Sequence, residues 1–300
     1  MIVTRIFIDQ VWTDINSPTK EEVDSLILSQ NIDPSIAKDL LAPTPKQYAK
    51  ESGNAIYAVL HIPYFNHSRS INLEQEIDFI ITEKSLTTAR YDSIDALHYF
   101  AKQIEVDQIL NKGNYSHLFF GLMKEVYESL FNEIDYIKEW LKEIEKNIFE
   151  GHEKQMVFSI SAASRNLLSF KRVTDPHKTV LINIANILKN NFGDKFEKDG
   201  KSLLEELERL TIEIRNIEDM IDELRETNNS ILTTKQNEIM KTLTILAFIV
   251  IPLATLSQIF GMNVVHTPLV GLPYDFWILI GIMVAMALAM FGYFKYKKWI

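Results

Sequence analysis

The chain has 300 residues, 47% apolar and 24% charged, with 31 Lys and Arg against 40 Asp and Glu and no cysteine. The missing cysteines exclude a disulfide framework, a thiolate zinc site, an iron–sulfur cluster and a cysteine nucleophile. The acidic balance argues against nucleic acid as a partner, which calls for a basic surface.

The N-terminal stretch Met1–Trp12 is interrupted by Arg5 and Asp9 and carries no small-residue cleavage pattern, so it is not read as a secretory signal. The body of the chain is therefore expected in the cytoplasm. Ile2–Ile8, Ala55–Ile62, Glu76–Ile81 and Leu86–Arg90 are rich in β-branched and aromatic residues and are expected to be strands. Thr19-Lys-Glu-Glu22 has the spacing of a capping box and opens a helix toward Leu26 and Ile27. Residues 91–109, 115–149, 153–171 and 176–191 read as helices. Breaks fall at residues 174–177 and 191–200, the second containing Gly193 and Gly200. The first 200 residues thus form a mixed α/β domain with a helical extension.

From Leu203 the apolar positions are Leu203, Leu207, Leu210, Ile214, Ile217, Ile221, Leu224 and Ile231, with Asn228 filling the gap. Steps of four and three alternate throughout, which is a heptad seam. The seam serves either an oligomer or packing on the chain's own helices. Neither Pro nor Gly occurs between Gly200 and Pro252, so one helix is expected to run from about residue 201, as a stalk over 201–241, into the segment that follows. Sixty residues of helix span ~90 Å.

Charge is unevenly placed along the chain. Residues 236–300 hold two acids (Glu238, Asp275) and four bases (Lys241, Lys295, Lys297, Lys298), which leaves 38 acids and 27 bases in the first 235 residues. No charged side chain lies between Lys241 and Asp275, or between Asp275 and Lys295. Two stretches, 242–263 and 276–294, are long and apolar enough to cross ~30 Å of hydrocarbon. The other reading is a pair of buried core helices, which tandem placement disfavours. Tyr274, Trp277, Tyr293, Tyr296 and Trp299 suit the interfacial belts at the ends of the second stretch. The short segment 264–275 makes the two a hairpin, with both chain ends on one side. Lys241 and the basic tail 295–300 place that side in the cytoplasm. Pro252 removes a backbone hydrogen bond within the first span and favours a bend. Two spans cannot enclose a water-filled pore, so conduction would require several copies.

Catalytic patterns are missing. The sequence holds no Gly-rich phosphate loop, GxSxG elbow, HExxH helix or EF-hand. His61, His67, His98, His117, His152, His177 and His266 have no metal-ligand spacing, and His61 reads as a packed or surface residue. Acid-rich stretches such as Glu205-Glu206 read as solvated helix faces. An enzyme is not expected.

The first span ends in Phe260-Gly-Met-Asn-Val264. An aromatic followed by Gly-Met-Asn, at the outer end of the first of two C-terminal spans, resembles the signature of the CorA family of divalent-cation channels. Pro252-Leu253 before it and Lys297-Lys-Trp299 after the second span fit the same pattern. Trp12-Thr-Asp14, Pro18-Thr-Lys-Glu-Glu22, Glu76-Ile-Asp-Phe79 and Leu86-Thr-Thr-Ala-Arg90 resemble the family's cytoplasmic domain. The resemblance implies an α+β membrane protein. Its N-terminal cytoplasmic α/β/α domain leads to a long stalk helix continuous with the first of two transmembrane helices, and five copies form a homopentameric funnel. It implies a plasma-membrane channel for Mg²⁺, often Co²⁺ or Ni²⁺, with Zn²⁺ moved by one branch. Cytoplasmic Mg²⁺, bound between subunits at acids this sequence does not identify, would hold it closed.

Gly261, Met262 and Asn263 are then the selectivity filter. Mg²⁺ releases its hydration shell reluctantly, so Asn263 would act on the metal through hydration water, and Gly261 would let a carbonyl approach. Asn263 equally suits a helix C-terminal cap. Helical spacing puts Asn237, Met240, Leu243, Thr244, Ala247, Ile251, Ala254 and Gln258 on one stripe without charge. Met240 and Leu243 could close it as a hydrophobic collar or simply pack against neighbouring helices. Glu226 serves equally as a cation-attracting ring or a solvated face. Two departures bear on the ion: family members commonly carry an acid soon after Gly-Met-Asn, whereas here Asp275 is the only acid of the outer segment and His266 suits a softer ion such as Zn²⁺. Gln258 also stands where a small residue is usual. The rivals are a Zn²⁺ transporter of the same fold and a membrane-anchored coiled-coil sensor that transports nothing.

Overall fold

A computed structural model describes residues 2–7, 9–30, 33–34, 36–66, 71–110, 116–262, 268–269, 271 and 273–299. The chain divides into two compact units, Met1–Arg225 and Glu226–Ile300.

The first unit is built on a six-stranded sheet, formed by β1 (Ile2–Phe7), β2 (Gln10–Asn16), β3 (Tyr48–Ser52), β4 (Ala55–Asn66), β5 (Ile71–Ile81) and β6 (Ser85–Arg90). Their spatial order is β1-β2-β6-β5-β4-β3. Only β2 and β6 run parallel, with Trp12 opposite Leu86 and Asp14 opposite Thr88; every other neighbouring pair is antiparallel. Helices α1 (Lys20–Gln30) and α2 (Ile36–Leu40) cover one face. There Val23, Leu26, Ile36 and Leu40 meet Ile15, Tyr57, Val59 and Ile80. The other face packs on α3 (Asp95–Leu110), α4 (Leu118–Asn147), α5 (Glu153–Thr174) and α6 (His177–Phe192), with Trp12 against Phe100 and Phe79 edge-on to Phe119. The result is an α/β/α sandwich.

Four expected strands are present, and the capping box at Thr19 is reciprocal: Thr19 N–H donates to Glu22 and Glu22 N–H to the Thr19 hydroxyl, at 3.0 and 3.3 Å. Two strands and one helix go beyond the sequence reading. Strand β2 carries a buried carboxylate, Asp14, that a hydrophobic pattern rejects. The fold satisfies it with Thr88 Oγ1 at 2.8 Å and the Arg90 guanidinium at 3.0–3.3 Å. Edge strand β3 (Tyr-Ala-Lys-Glu-Ser) is too polar to register as a strand, and α2 is only five residues long.

Helix α7 runs without interruption from Glu197 to Phe260, including Gly200 and Pro252. The break before it is thus shorter than 191–200. It is confined to Gly193, at φ 87°, and a 3₁₀ turn, Asp194–Phe196. Gly200 lies inside the helix, and a Cβ there would be 3.4 Å from the Ala185 Cβ, an ordinary contact. The heptad residues from Leu203 to Leu224 are all buried in the single chain. Ion pairs Lys138–Glu213 at 2.7 Å and Lys171–Glu218 at 2.8 Å flank the seam, and Arg209 lies over Phe131. The seam therefore packs on the chain's own α4 and α5. By the ~25 cal/mol per Å² rule this burial stabilises the monomer's own fold, so the seam itself is not an argument for an oligomer.

Candidate functional site

The second unit contains the rest of α7 and helix α8 (Asp275–Tyr296). Both are long and apolar enough to cross a membrane, and few residues of their apolar windows are buried. That is unlike the core helices of a soluble fold, which bury such surface.

One face of α7 packs on α8. Ile245 is only 7% exposed, Phe248 meets Phe294 at 6.2 Å, and the Ser257 hydroxyl lies 3.7 Å from the Met283 sulfur. Toward the C-terminal end of α7, Leu256, Phe260, Phe276 and Leu279 line an apolar cleft of about 280 Å³. At ~100° per residue the predicted stripe lies roughly half a turn away from this face. Asn237, Ala247, Ala254 and Gln258 are exposed, as are Met240 (56%), Leu243 (55%) and Ile251 (62%), while Thr244 is half-buried. Thr244 donates its hydroxyl to the Met240 carbonyl at 2.7 Å, which leaves the stripe more apolar than its residue names suggest. Glu226 is exposed on α7.

The helix ends where the motif begins. Gly261 N–H donates to the Ser257 carbonyl at 2.9 Å, and a Cβ on Gly261 would lie 3.2 Å from that oxygen, a tight contact that the neighbouring backbone would have to relieve by a few tenths of an ångström. Glycine avoids that contact at the end of the helix. Met262 follows, 57% exposed. Asn263, the key filter residue of the sequence reading, and His266 lie outside the described residues. The outer acid, Asp275, is the first residue of α8, and its carboxylate accepts the Gly271 amide at 3.1 Å and the Phe276 amide at 2.7 Å. It stands in the first turn of α8, where the macrodipole favours an anion.

The body holds no metal cage of three His, Asp or Glu among the described residues. His61 is a packed residue, its Nε2 2.9 Å from the Thr44 carbonyl and 3.4 Å from Glu76. The hydrogen bond and charge of Glu76 raise its pKa against the opposing effect of burial. His117 and His177 are buried neutral rings whose pKa values burial pushes down to about 4. The first lies 2.8 Å from the Thr82 carbonyl and accepts the Phe119 amide; the second lies 2.7 Å from the His61 carbonyl and 3.2 Å from the Tyr127 hydroxyl. Sequence spacing gave no sign of either, because their partners are backbone carbonyls remote in the chain.

The family described as CorA-like Mg²⁺ transporter protein matches residues 9–297. The chain belongs to that family. As a CorA-type divalent-cation transporter it is not an enzyme, in line with the lack of catalytic patterns. The Cobalt/magnesium transport protein CorA of Thermotoga maritima is 24% identical over 276 residues, covering 90% of this chain and 77% of that protein. The protein of the same name from Methanocaldococcus jannaschii is 21% identical, covering 97% and 91%. Among solved structures, that described as the complete structure of CorA magnesium transporter from Methanocaldococcus jannaschii superposes with a TM-score of 0.84. It is 19% identical and covers 99% of this chain and 94% of its own. The full-length CmaX protein gives a TM-score of 0.71 at 16% identity, covering 97% and 89%. These likenesses carry the fold across: a CorA N-terminal α/β domain and a long helix that continues into the apolar C-terminal hairpin.

Proposed function

We propose that the chain assembles as a homopentamer in the plasma membrane, with both termini cytoplasmic, and conducts Mg²⁺, with Co²⁺ and Ni²⁺ as further substrates. The observation that carries this reading is the uncharged stripe of α7, which faces away from α8 and ends at Gly261. Five such stripes facing one another would remove this apolar surface from lipid and line a narrow path. Without a carboxylate on the stripe, an ion would cross with its hydration shell, held by hydrogen bonds and not by direct coordination. That suits Mg²⁺, which dehydrates reluctantly. Gly261, Met262 and Asn263 would form the outer ring, with the Asn263 amide oxygens meeting hydration water. Met240 and Leu243 would form the collar that closes by dewetting, and Glu226 the ring that draws cations at the inner end.

Asp275 is the only acid of the outer segment, and its carboxylate is engaged by the Gly271 and Phe276 amides, so entry would depend mainly on that neutral ring. Closure by cytoplasmic Mg²⁺ would use acids contributed by more than one subunit. The relatives' names, which specify cobalt and magnesium, support the ion choice. The test is growth of a Mg²⁺-uptake-deficient bacterium expressing the chain. Rescue at low external Mg²⁺ supports the reading. Failure of rescue together with Zn²⁺ uptake by the same cells would make the chain a Zn²⁺ transporter of the same fold, and no uptake of either ion would leave the non-transporting sensor.

A further inference from the structure

The end of α8 is built in an unusual way. Lys298 N–H donates to the Lys295 carbonyl at 3.1 Å, and Trp299 N–H reaches back to the Phe294 carbonyl at 3.0 Å. Lys298 is left-handed, with φ 57°. Together these are the hydrogen bonds and backbone of a Schellman cap, whose left-handed position is normally glycine because a side chain there is strained. The cap's apolar contact is present as well: the Trp299 ring stacks on Phe294 at 5.9 Å and 28°. Phe294, only 7% exposed, in turn meets Phe248 of α7, so three rings tie the hook to the first span. A lysine thus occupies the position where glycine would cost least. Lys295, Lys297 and Lys298 are all exposed, and among the described residues none makes an ion pair. Strain retained at a charged residue, next to unpaired like charges, implies a use for the charge.

We propose that this hook is a binding site for the headgroup of anionic phospholipid, with Trp299 and Phe294 as its rigid support and Lys298 as the ligand that the strained cap presents beside Lys295 and Lys297. The proposal rests on reading α7 and α8 as membrane spans. Three features select a lipid headgroup as the occupant. The cluster directly follows 19 uncharged residues, so it lies at headgroup depth. Its aromatic support is of the kind found at bilayer interfaces. Its net charge is complementary to phosphatidylglycerol, toward which each juxtamembrane Lys contributes attraction.

The test is native mass spectrometry of the full chain in non-ionic detergent, titrated with dioctanoyl phosphatidylglycerol or dioctanoyl phosphatidylcholine. The wild type is expected to prefer phosphatidylglycerol. Lys298→Gln is expected to bind it about fivefold more weakly. Lys298→Gly relieves the backbone and is expected to raise the thermal midpoint by roughly 2–4 °C while losing the same affinity, a split that a merely structural lysine would not give. Trp299→Phe keeps the stack and should keep the affinity, whereas Trp299→Ala should lose it. Equal affinity for the two lipids, undiminished binding by both Lys298 variants, or competition by equimolar inorganic phosphate would each overturn the proposal. Mg²⁺ flux measured on the same preparations in vesicles reads the transport function separately, so that a failure of one is not a failure of the other.

Discussion

Asp78 offers the sharpest test of the energetics of the body. It sits on β5 with no solvent exposure; one carboxylate oxygen accepts the Tyr57 hydroxyl at 2.8 Å and the other has no partner. Burial, reinforced by the nearby charges of Glu76 and Asp39, pushes its carboxyl up to about 8 against the opposing hydrogen bond from Tyr57. The unfolded chain releases this proton near pH 4, whereas the folded chain holds it until about 8. The folded state therefore binds more protons over that window, and stability falls as pH rises through it. At ~1.4 kcal/mol per pH unit the full loss is at most ~6 kcal/mol, and about 2–3 kcal/mol after the site relaxes is a realistic expectation. Asp78→Asn keeps the shape and an oxygen for Tyr57 but has no proton to lose. The variant is expected to exceed wild type by less at pH 5 than at pH 8, where the difference reaches ~2–3 kcal/mol, equivalent to several degrees in midpoint for a domain of this size. Thermal denaturation of the full chain in detergent at pH 5, 6, 7 and 8, read as the difference between variant and wild type, isolates this residue from other titrating groups. A difference that stays constant with pH, or that shrinks toward pH 8, would refute the reasoning.

Other groups titrate with the opposite sign. His117 and His177 accept protons near pH 6.5 when unfolded and only near 4 when folded, so stability should fall as pH drops from 6.5 to 4, and His177→Gln should flatten that slope in an acid denaturation series. Leu210→Ala, at a position with no exposure in the seam, should cost ~2–5 kcal/mol in thermal or chemical denaturation. Leu243→Ala, on the exposed stripe, should leave stability within ~1 kcal/mol while altering ion flux in vesicles. Gly261→Ala drives a Cβ to 3.2 Å from the Ser257 carbonyl and should reduce Mg²⁺ uptake sharply while expression and membrane insertion, followed by immunoblot, persist.

The most legible parts of the chain were those where composition is decisive. Thirty-three residues without charge after Lys241 admit few structures besides a membrane hairpin, and the Thr19 capping box is a local device whose partners lie three residues apart. The stripe opposite α8 was also readable, because 3.6-residue periodicity alone assigns faces. Strand β2 was not, since Asp14 looks foreign to a buried strand until Arg90 and Thr88, more than 70 residues away, are beside it. The seam was legible as a seam but not in its partner: heptad spacing is the same whether the neighbouring helix belongs to another copy or, as here, to α4 and α5 of the same chain. Lys297-Lys-Trp299 was legible as a basic tail but not as a hook, because the hook's defining feature is a lysine where glycine is the usual residue.

The central proposal is that Asn263 amide oxygens from several copies meet hydrated Mg²⁺ just beyond the C-terminal end of α7. The most direct measurement is Mg²⁺ influx into vesicles containing the purified full chain, compared with Asn263→Ala protein of the same oligomeric mass. Wild-type influx abolished by the substitution, with assembly intact, is the predicted result. Undiminished Mg²⁺ influx through Asn263→Ala would contradict it.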